Sequence, residues 1–124
     1  MLFFETKFFY YLGNKQFSKV NELLNIYMQK KGKTSRYFEY CFNYYFEIKD
    51  LKKAFDSFVN CVNLKKVNLK FENWVIDIYI DKNVSNTQYQ IAAQNAMKLA
   101  HLENLSTQNR IKLLNILDYI KTKL

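Results

Sequence analysis

The stretch 50–62, Asp50-Leu51-Lys52-Lys53-Ala54-Phe55-Asp56-Ser57-Phe58-Val59-Asn60-Cys61-Val62, decides the fold that this sequence predicts. Its apolar residues recur at steps of three and four, which places them along one side of an α-helix and leaves the lysines facing water. These apolar positions are Leu51, Ala54, Phe58, Cys61 and Val62. Asp50 stands where its carboxylate can accept hydrogen bonds from the free amides of the first turn. The stretch therefore predicts an amphipathic helix that begins beside Asp50.

A copy of this helix lies thirty-four residues earlier in the chain, over residues 17–28. The same offset aligns aromatic and charged residues beyond the helix, and a fainter third copy begins at Phe71. The matched pairs are Phe4 with Phe38, Glu5 with Glu39, Phe8 with Phe42, Tyr11 with Tyr45, Lys15 with Lys49, Lys19 with Lys53, Glu22 with Asp56, Lys31 with Lys65 and Arg36 with Lys70. A fixed period of this size is typical of one supersecondary unit that is stacked repeatedly, each copy burying its apolar face on the next.

The composition favours long helices joined by short polar turns, because the chain has two glycines and no proline. A stop signal at 13–14 and a capping box of Ser85 with Gln88 help to set the boundaries. The predicted helices cover residues 2–12, 16–31, 35–48, 50–64, 70–81, 86–103 and 107–121, with a turn at 82–86.

We therefore expect an all-α fold that forms a single domain over residues 1–124. Its architecture would be an α-solenoid of three antiparallel helical hairpins plus a C-terminal helix. The hairpins cover residues 2–32, 35–64 and 70–103, and the last helix covers residues 107–122.

The chain is strongly basic. Nineteen basic residues against eleven acidic ones give a formal net charge of +8. Such a surface attracts polyanions, with RNA, DNA and an anionic membrane as candidates. The alternative is an ordinary solvated surface in a lysine-rich composition. The longest uninterrupted apolar run, residues 8–12, is far shorter than the roughly 20 residues that span a bilayer, so no membrane span is expected.

The two cysteines and one histidine offer little for catalysis or metal binding. Cys41 and Cys61 each fall on the apolar face of a predicted helix and lack metal-ligand spacing. We expect both to be buried thiols, which suits a reducing compartment. His101 stands among aliphatic residues, and the sequence contains no phosphate-binding glycine loop or nucleophile elbow. We therefore predict a protein that is not an enzyme and that uses no cofactor or metal.

One pattern in the second hairpin is shared with known repeat proteins: Leu51, Ala54, Phe58 and Cys61, with Phe38 and Tyr45 in the preceding helix. It resembles the helical-hairpin repeats of the tetratricopeptide and pentatricopeptide families, whose periods are about 34–35 residues. The resemblance covers roughly residues 2–81 and is closer to the pentatricopeptide form over residues 50–61. Pentatricopeptide proteins bind single-stranded RNA, mostly in mitochondria and plastids. The resemblance therefore implies association with RNA or a ribonucleoprotein and a mitochondrial location. The alternative is the cytoplasm, the reducing compartment that buried free thiols suit.

The recurrence of basic residues is the main functional signal in the sequence. Lysine or arginine repeats at equivalent positions of the hairpin turns and of the connections between hairpins. In a stacked array, equivalent positions line up along one edge, and a basic row can follow a phosphate backbone. The predicted residues for binding RNA or another polyanion are Lys15, Lys31, Arg36, Lys49, Lys65 and Lys70.

Two other interpretations involve a protein partner. A tetratricopeptide-like interaction scaffold would hold a peptide or helix in a concave groove lined by the first helices, and the slightly acidic lining suits a basic peptide. The groove candidates are Glu5, Phe9, Arg36, Glu39, Asn43, Asn73 and Asp77. Alternatively, the chain is a small subunit of a larger assembly, docked through its apolar last helix. The apolar positions of that helix are Ile111, Leu113, Leu114, Ile116, Leu117 and Ile120.

Overall fold

The structure, a computed structural model, describes residues 2–64, 68–84 and 89–124. Within these ranges the chain forms seven α-helices and no strand. The helices are α1 (Leu2–Gly13), α2 (Phe17–Lys31), α3 (Ser35–Glu47), α4 (Leu51–Asn63), α5 (Leu69–Val84), α6 (Tyr89–Ala100) and α7 (Thr107–Lys121). The prediction of an all-α fold is therefore confirmed.

The observed helix bounds agree closely with the predicted ones over α1 to α4 and differ at the end of α5. This helix continues to Val84, so the predicted turn at 82–86 is wrong for residues 82–84. No glycine or proline interrupts the α5 sequence, and polar residues alone do not stop a helix. The predicted capping box of Ser85 and Gln88 lies outside the described residues.

The chain divides into two compact units, which we call unit 1 (Met1–Leu64, with α1 to α4) and unit 2 (Lys65–Leu124, with α5 to α7). In unit 1, helices that follow each other in sequence also pack as neighbours: α1 on α2, α2 on α3, and α3 on α4. The prediction of one repeat domain over residues 1–124 stays a prediction.

Aromatic rings form the centre of unit 1. Phe8, Phe42 and Phe58 are fully buried. The centroid of the Tyr40 ring in α3 lies 5.2 Å from that of Phe4 and 4.9 Å from that of Phe8, both in α1. Burying one such ring contributes roughly 1.5–3 kcal/mol. Aromatic packing therefore joins α1 to α3 directly, although α2 lies between them in sequence.

The turn between α1 and α2 is a Schellman motif, a helix ending closed by two backbone hydrogen bonds. Lys15 N donates to Leu12 O at 3.1 Å, and Gln16 N donates to Tyr11 O at 2.9 Å. Lys15 takes the left-handed conformation that the motif requires, with a φ of 59°. The left-handed residue that ends α1 is therefore Lys15, which directly follows the stop signal predicted at 13–14.

The turn between α3 and α4 repeats this motif thirty-four residues later. Lys49 N donates to Phe46 O at 3.1 Å, and Asp50 N donates to Tyr45 O at 2.9 Å. Lys49 is again left-handed, with a φ of 65°. Asp50 is also the predicted N-cap of α4, since its carboxylate accepts a hydrogen bond from Lys53 N at 3.2 Å. The two hairpins of unit 1 therefore have turns with the same conformation and the same pattern of hydrogen bonds.

Helix α2 lies antiparallel to both α1 and α3. Phe4, near the start of α1, packs on Tyr27, near the end of α2, with 5.2 Å between ring centroids. Phe17, the first residue of α2, packs on Tyr44, near the end of α3, at 6.1 Å. Helices α1 and α3 therefore run in the same direction, and the two Schellman turns lie at the same edge of unit 1.

In unit 2, α7 packs against both α5 and α6. The predicted third hairpin, residues 70–103, pairs α5 with α6, but α6 packs more extensively on α7 than on α5. The small side chains of Ala92, Ala96 and Ala100 on α6 are buried, and Leu113 of α7 is fully buried. The principal helix pair of unit 2 is therefore α6 with α7.

Buried polar side chains connect α5 to the start of α7. Glu72 Oε1 accepts hydrogen bonds from Ser106 N at 3.0 Å and from Asn109 Nδ2 at 2.8 Å. The start of a helix has free amides and the positive end of the helix dipole, so a carboxylate is favourable there. Ser106 is the N-cap of α7, since its side chain accepts a hydrogen bond from Asn109 N, and the helix begins at Thr107 as predicted.

Arg110 fixes the end of α6. Its guanidinium donates to the carbonyl oxygens of Ala100 at 2.7 Å and Leu102 at 2.9 Å. Basic side chains that satisfy the last carbonyls of a helix stabilise its end. This arrangement ends α6 at Ala100, three residues before the predicted end at residue 103.

We predict that Lys15→Gly and Lys49→Gly each stabilise the protein by about 0.5–1 kcal/mol. A lysine is strained in the left-handed region whereas glycine adopts it freely, and this gain exceeds the added entropy of the unfolded chain. Urea unfolding measures the free energy of unfolding. The control Lys30→Gly, within α2, should cost about 1 kcal/mol. Destabilisation by either turn variant would show that its turn lacks this conformation.

Candidate functional site

Four lysines at the turns of unit 1 form what we call the turn edge: Lys15, Lys19, Lys49 and Lys53. Lys15 and Lys49 are exposed at the left-handed positions of the two Schellman turns. Lys19 and Lys53 are exposed in the first turns of α2 and α4. The prediction of polyanion-binding residues included the first pair and missed the second. The thirty-four-residue match of Lys19 with Lys53 was the signal that could have found it.

Lys19 and Lys53 make the same contact in the two hairpins. Lys19 Nζ lies 5.0 Å from the centroid of the Tyr11 ring, and Lys53 Nζ lies 5.8 Å from that of Tyr45. An ammonium within about 6 Å of a ring face is attracted by the ring quadrupole. Each ring therefore holds its lysine at the turn edge, and the ammonium stays accessible to a ligand.

The other four residues predicted to bind a polyanion do not belong to the turn edge. Lys31 is exposed in the last turn of α2. Arg36 pairs with carboxylates of unit 1, described below. Lys65 lies outside the described residues. Lys70 is exposed near the start of α5 in unit 2, where its backbone N donates to Asn68 Oδ1 at 2.9 Å.

Arg36 is the centre of a charged cluster that joins α1 to α3. Its guanidinium lies 2.5 Å from Glu5 Oε1 and 3.7 Å from Glu39 Oε1, and its Nε donates to Tyr40 Oη at 3.2 Å. The two glutamates occupy equivalent positions of the repeat. Arg36 therefore bridges the same position in two successive first helices, a role that differs from the predicted contact with a polyanion.

Burial makes the two glutamates of this cluster unequal. The side chain of Glu39 is 11% exposed, against 38% for Glu5. Burial raises the pKa of Glu39, Arg36 counteracts this by lowering it, and the negative charge of Glu5 raises it further. Arg36 therefore opposes the effect of burial, which favours the protonated form of Glu39.

The remaining groove candidates divide between the two units. In unit 1, Asn43 Nδ2 donates to Glu39 O at 2.9 Å, and Phe9 is 43% exposed. In unit 2, Asn73 Oδ1 accepts from Asn109 Nδ2 at 2.8 Å, and Asp77 pairs with Lys112 at 3.5 Å. The structure therefore brings together Glu5, Arg36, Glu39 and Asn43 of unit 1.

The apolar last helix contributes to the core of unit 2. Leu113, Leu117 and Ile120 are buried, while Ile111 and Leu114 are exposed. Within the described ranges, no helix has both the length and the apolar character needed to cross a membrane.

Both cysteines are buried thiols, as predicted. Burial raises the pKa of Cys41 to about 11, so this thiol keeps its proton at neutral pH. Cys61 Sγ donates to Ser35 O at 3.3 Å. In the part of the chain that the structure describes, no group of histidine, cysteine and carboxylate side chains could hold a metal ion. His101 Nδ1 lies 2.8 Å from Met97 O, four residues earlier in the chain.

A cleft between α3 and α4 was not anticipated from the sequence. It measures about 230 Å³ and is lined by polar and aromatic side chains of unit 1, including Tyr37, Ser57 and Asn60. The lysine at one end, Lys53, also belongs to the turn edge.

We predict that Arg36→Met destabilises the protein by about 1–2 kcal/mol at pH 7, because it leaves Glu39 largely buried without its counter-charge. The loss should shrink at about pH 4, since the charged form of Glu39 carries the cost and its raised pKa favours protonation there. Urea unfolding at both pH values measures this. Lys30→Met, which removes an exposed charge of α2, is the control. An equal loss at the two pH values would contradict the assignment.

No family model, curated protein or solved structure matches this sequence. The likeness to tetratricopeptide and pentatricopeptide repeats therefore rests on the pattern of residues in the sequence.

Proposed function

We propose that this protein is a non-catalytic binding module that associates with single-stranded RNA, alone or within a ribonucleoprotein, through the turn edge of unit 1. One observation carries this proposal. Exposed lysines recur at positions that have the same backbone conformation and the same hydrogen bonds in two successive hairpins. Such a repeat suits a ligand whose negative charges also recur at a regular interval.

The charge balance at the turn edge favours an anionic ligand. The turn segments 13–19 and 47–53 contain five lysines and two acidic residues. One of these acids, Asp50, directs its carboxylate to the backbone of α4 as an N-cap. The charge that the turn edge presents to water is therefore mainly that of its lysines.

The spacing of the turn edge suits a flexible strand. Rings of α1 and α3 pack on each other, so the turns that follow these two helices are neighbours and their equivalent lysines recur once per hairpin. Contacts of lysine with phosphate are independent of base sequence and contribute mainly a salt-dependent part of the affinity. We therefore expect the turn edge to position RNA without selecting its sequence.

The same proposal includes the finer architecture and the location. We infer an α-solenoid in which the period of unit 1 continues into α5, supported by the matches that begin at Phe71. The pentatricopeptide resemblance supports a mitochondrial location, because members of that family act mostly in mitochondria and plastids.

A protein-interaction scaffold is the second candidate, and the Arg36 cluster favours it. Glu5 and Glu39 share one arginine, so the first-helix surface of unit 1 has an excess of negative charge beside the exposed ring of Phe9. This combination suits a basic peptide. Partners that survive nuclease treatment in a pulldown, and that are lost with Phe9→Ser, would favour the scaffold over RNA binding.

We predict that the double variant Lys15→Asn/Lys49→Asn weakens binding to single-stranded RNA about tenfold near 100 mM salt. Asparagine tolerates the left-handed conformation, so the charge is removed while the turn is kept. The slope of log affinity against log salt should become shallower by about 1.4, since each lost phosphate contact is worth about 0.7 for a single strand. Filter binding across a salt series measures both quantities.

The double variant Lys98→Gln/Lys121→Gln is the matched control, because it removes the same charge from exposed helix positions of unit 2. It should change the salt slope much less. Equal losses in the two double variants, or no salt-dependent RNA binding by the unaltered protein, would refute binding through the turn edge.

A further inference from the structure

Tyr10 is an exposed aromatic residue beside the turn edge. Its side chain lies in the last turn of α1 and is 62% exposed. Its ring centroid is 5.6 Å from that of Tyr11, the ring that holds Lys19 Nζ at 5.0 Å. Its carbonyl oxygen accepts hydrogen bonds from Asn14 N at 3.1 Å and from Asn14 Nδ2 at 2.7 Å, within the first hairpin turn. The Tyr10 ring therefore lies one ring away from a lysine of the turn edge.

The repeat shows that packing does not account for this tyrosine. Its counterpart thirty-four residues later, Tyr44, is half-buried against α2. The Phe17 ring lies 6.1 Å from the Tyr44 ring, and Asn21 Nδ2 donates to Tyr44 Oη at 3.0 Å. Tyr10 occupies the equivalent position of α1, yet most of its side chain faces water, so it gains little from burial.

The face of α1 around Tyr10 is polar, which argues against a packed helix as its occupant. On α3, the equivalent face contains Tyr40 and Cys41, and both are buried. On α1, Thr6 and Lys7 take their positions, and both are exposed. A helix face that packs on another helix has apolar residues at such spacings. An isolated exposed ring on a polar face suits a solvated ligand better.

The charge around Tyr10 favours an anionic ligand. Three lysines lie within residues 6–21, and this segment contains no acidic residue. These lysines are Lys7, Lys15 and Lys19. The flanking acids are Glu5, which pairs with Arg36, and Glu22, which lies one turn after the last of these lysines. An aromatic face with cations beside it suits single-stranded nucleic acid, because every base has a face that can stack on a ring.

We infer that Tyr10 stacks on one base of the RNA strand whose phosphates bind the turn edge. The inference rests on the proposed function, because it adds a base contact to a site that otherwise contacts phosphates. Stacking tolerates every base and needs a base that is free to leave its neighbours. The contact therefore favours single strands over duplexes without selecting a sequence.

The variant Tyr10→Ser tests this inference in filter binding of single-stranded RNA across a salt series. Serine and tyrosine have similar helix propensities, so α1 should be kept. We expect the affinity to fall about tenfold at each salt concentration, the size of effect that the loss of one stacked base produces. The salt slope should stay unchanged, because no phosphate contact is lost. Tyr10→Phe, which keeps a ring, should bind RNA like the unaltered protein.

Tyr119→Ser is the matched control variant. Tyr119 of α7 is 43% exposed, and Lys123 Nζ lies 5.4 Å from its ring centroid, so the variant removes a similar ring from unit 2. It should leave RNA binding unchanged. Inorganic polyphosphate is the matched ligand, since it has regular negative charges and no bases. Tyr10→Ser should bind polyphosphate as tightly as the unaltered protein does.

Unchanged RNA affinity in Tyr10→Ser, or an equal loss in Tyr10→Phe, would overturn the inference. An equal loss of polyphosphate binding, or an equal loss of RNA binding in Tyr119→Ser, would also overturn it.

The double variant Lys15→Asn/Lys49→Asn separates this inference from the proposed function. It should weaken binding of both RNA and polyphosphate and make the salt slope shallower. An unaltered slope in this variant, together with the loss in Tyr10→Ser, would refute the turn edge and support the stacking contact. A shallower slope in this variant, with no loss in Tyr10→Ser, would refute the stacking contact alone.

Discussion

The left-handed residue at each hairpin turn is the constraint on which unit 1 depends. In a Schellman turn, two backbone hydrogen bonds fix where the chain leaves one helix. Gln16 and Asp50 each complete such a turn and directly precede the next helix. No further residues therefore separate the turn from that helix. The second helix of each hairpin must therefore leave its turn in the same direction. Equivalent side chains of the two hairpins reach equivalent positions for this reason.

This geometry separates the charges of unit 1 into two surfaces. The lysines of the turn edge face water at one edge of the unit, while Glu5 and Glu39 converge on Arg36 between α1 and α3. Arg36 offsets part of the charge of two carboxylates that would otherwise repel each other, one of which, Glu39, is costly to bury. The two surfaces differ in sign and underlie the two candidate functions.

The helices and the repeat of unit 1 could be predicted because they depend on local periodicity and on a cap such as Asp50. The left-handed turn residues could not be predicted, since lysine has no preference for that conformation. Near the first turn, the residue expected to end the helix was Gly13, two positions before Lys15. The pairing of Arg36 and the burial of Glu72 depend on which neighbouring helix approaches, and periodicity in one segment does not contain that information. The cleft was missed because its lining comes from both α3 and α4, and the pattern within one helix does not show how the next one packs on it.

The equivalence of the two turns can be measured directly in solution. Scalar couplings across backbone hydrogen bonds, observed by NMR in a long-range HNCO experiment, report which amide is bonded to which carbonyl. We expect a coupling from Gln16 N to the Tyr11 carbonyl and a matching one from Asp50 N to the Tyr45 carbonyl. Couplings in one turn together with a different bonding pattern in the other would contradict the repeat, and the aligned turn edge would lose its basis.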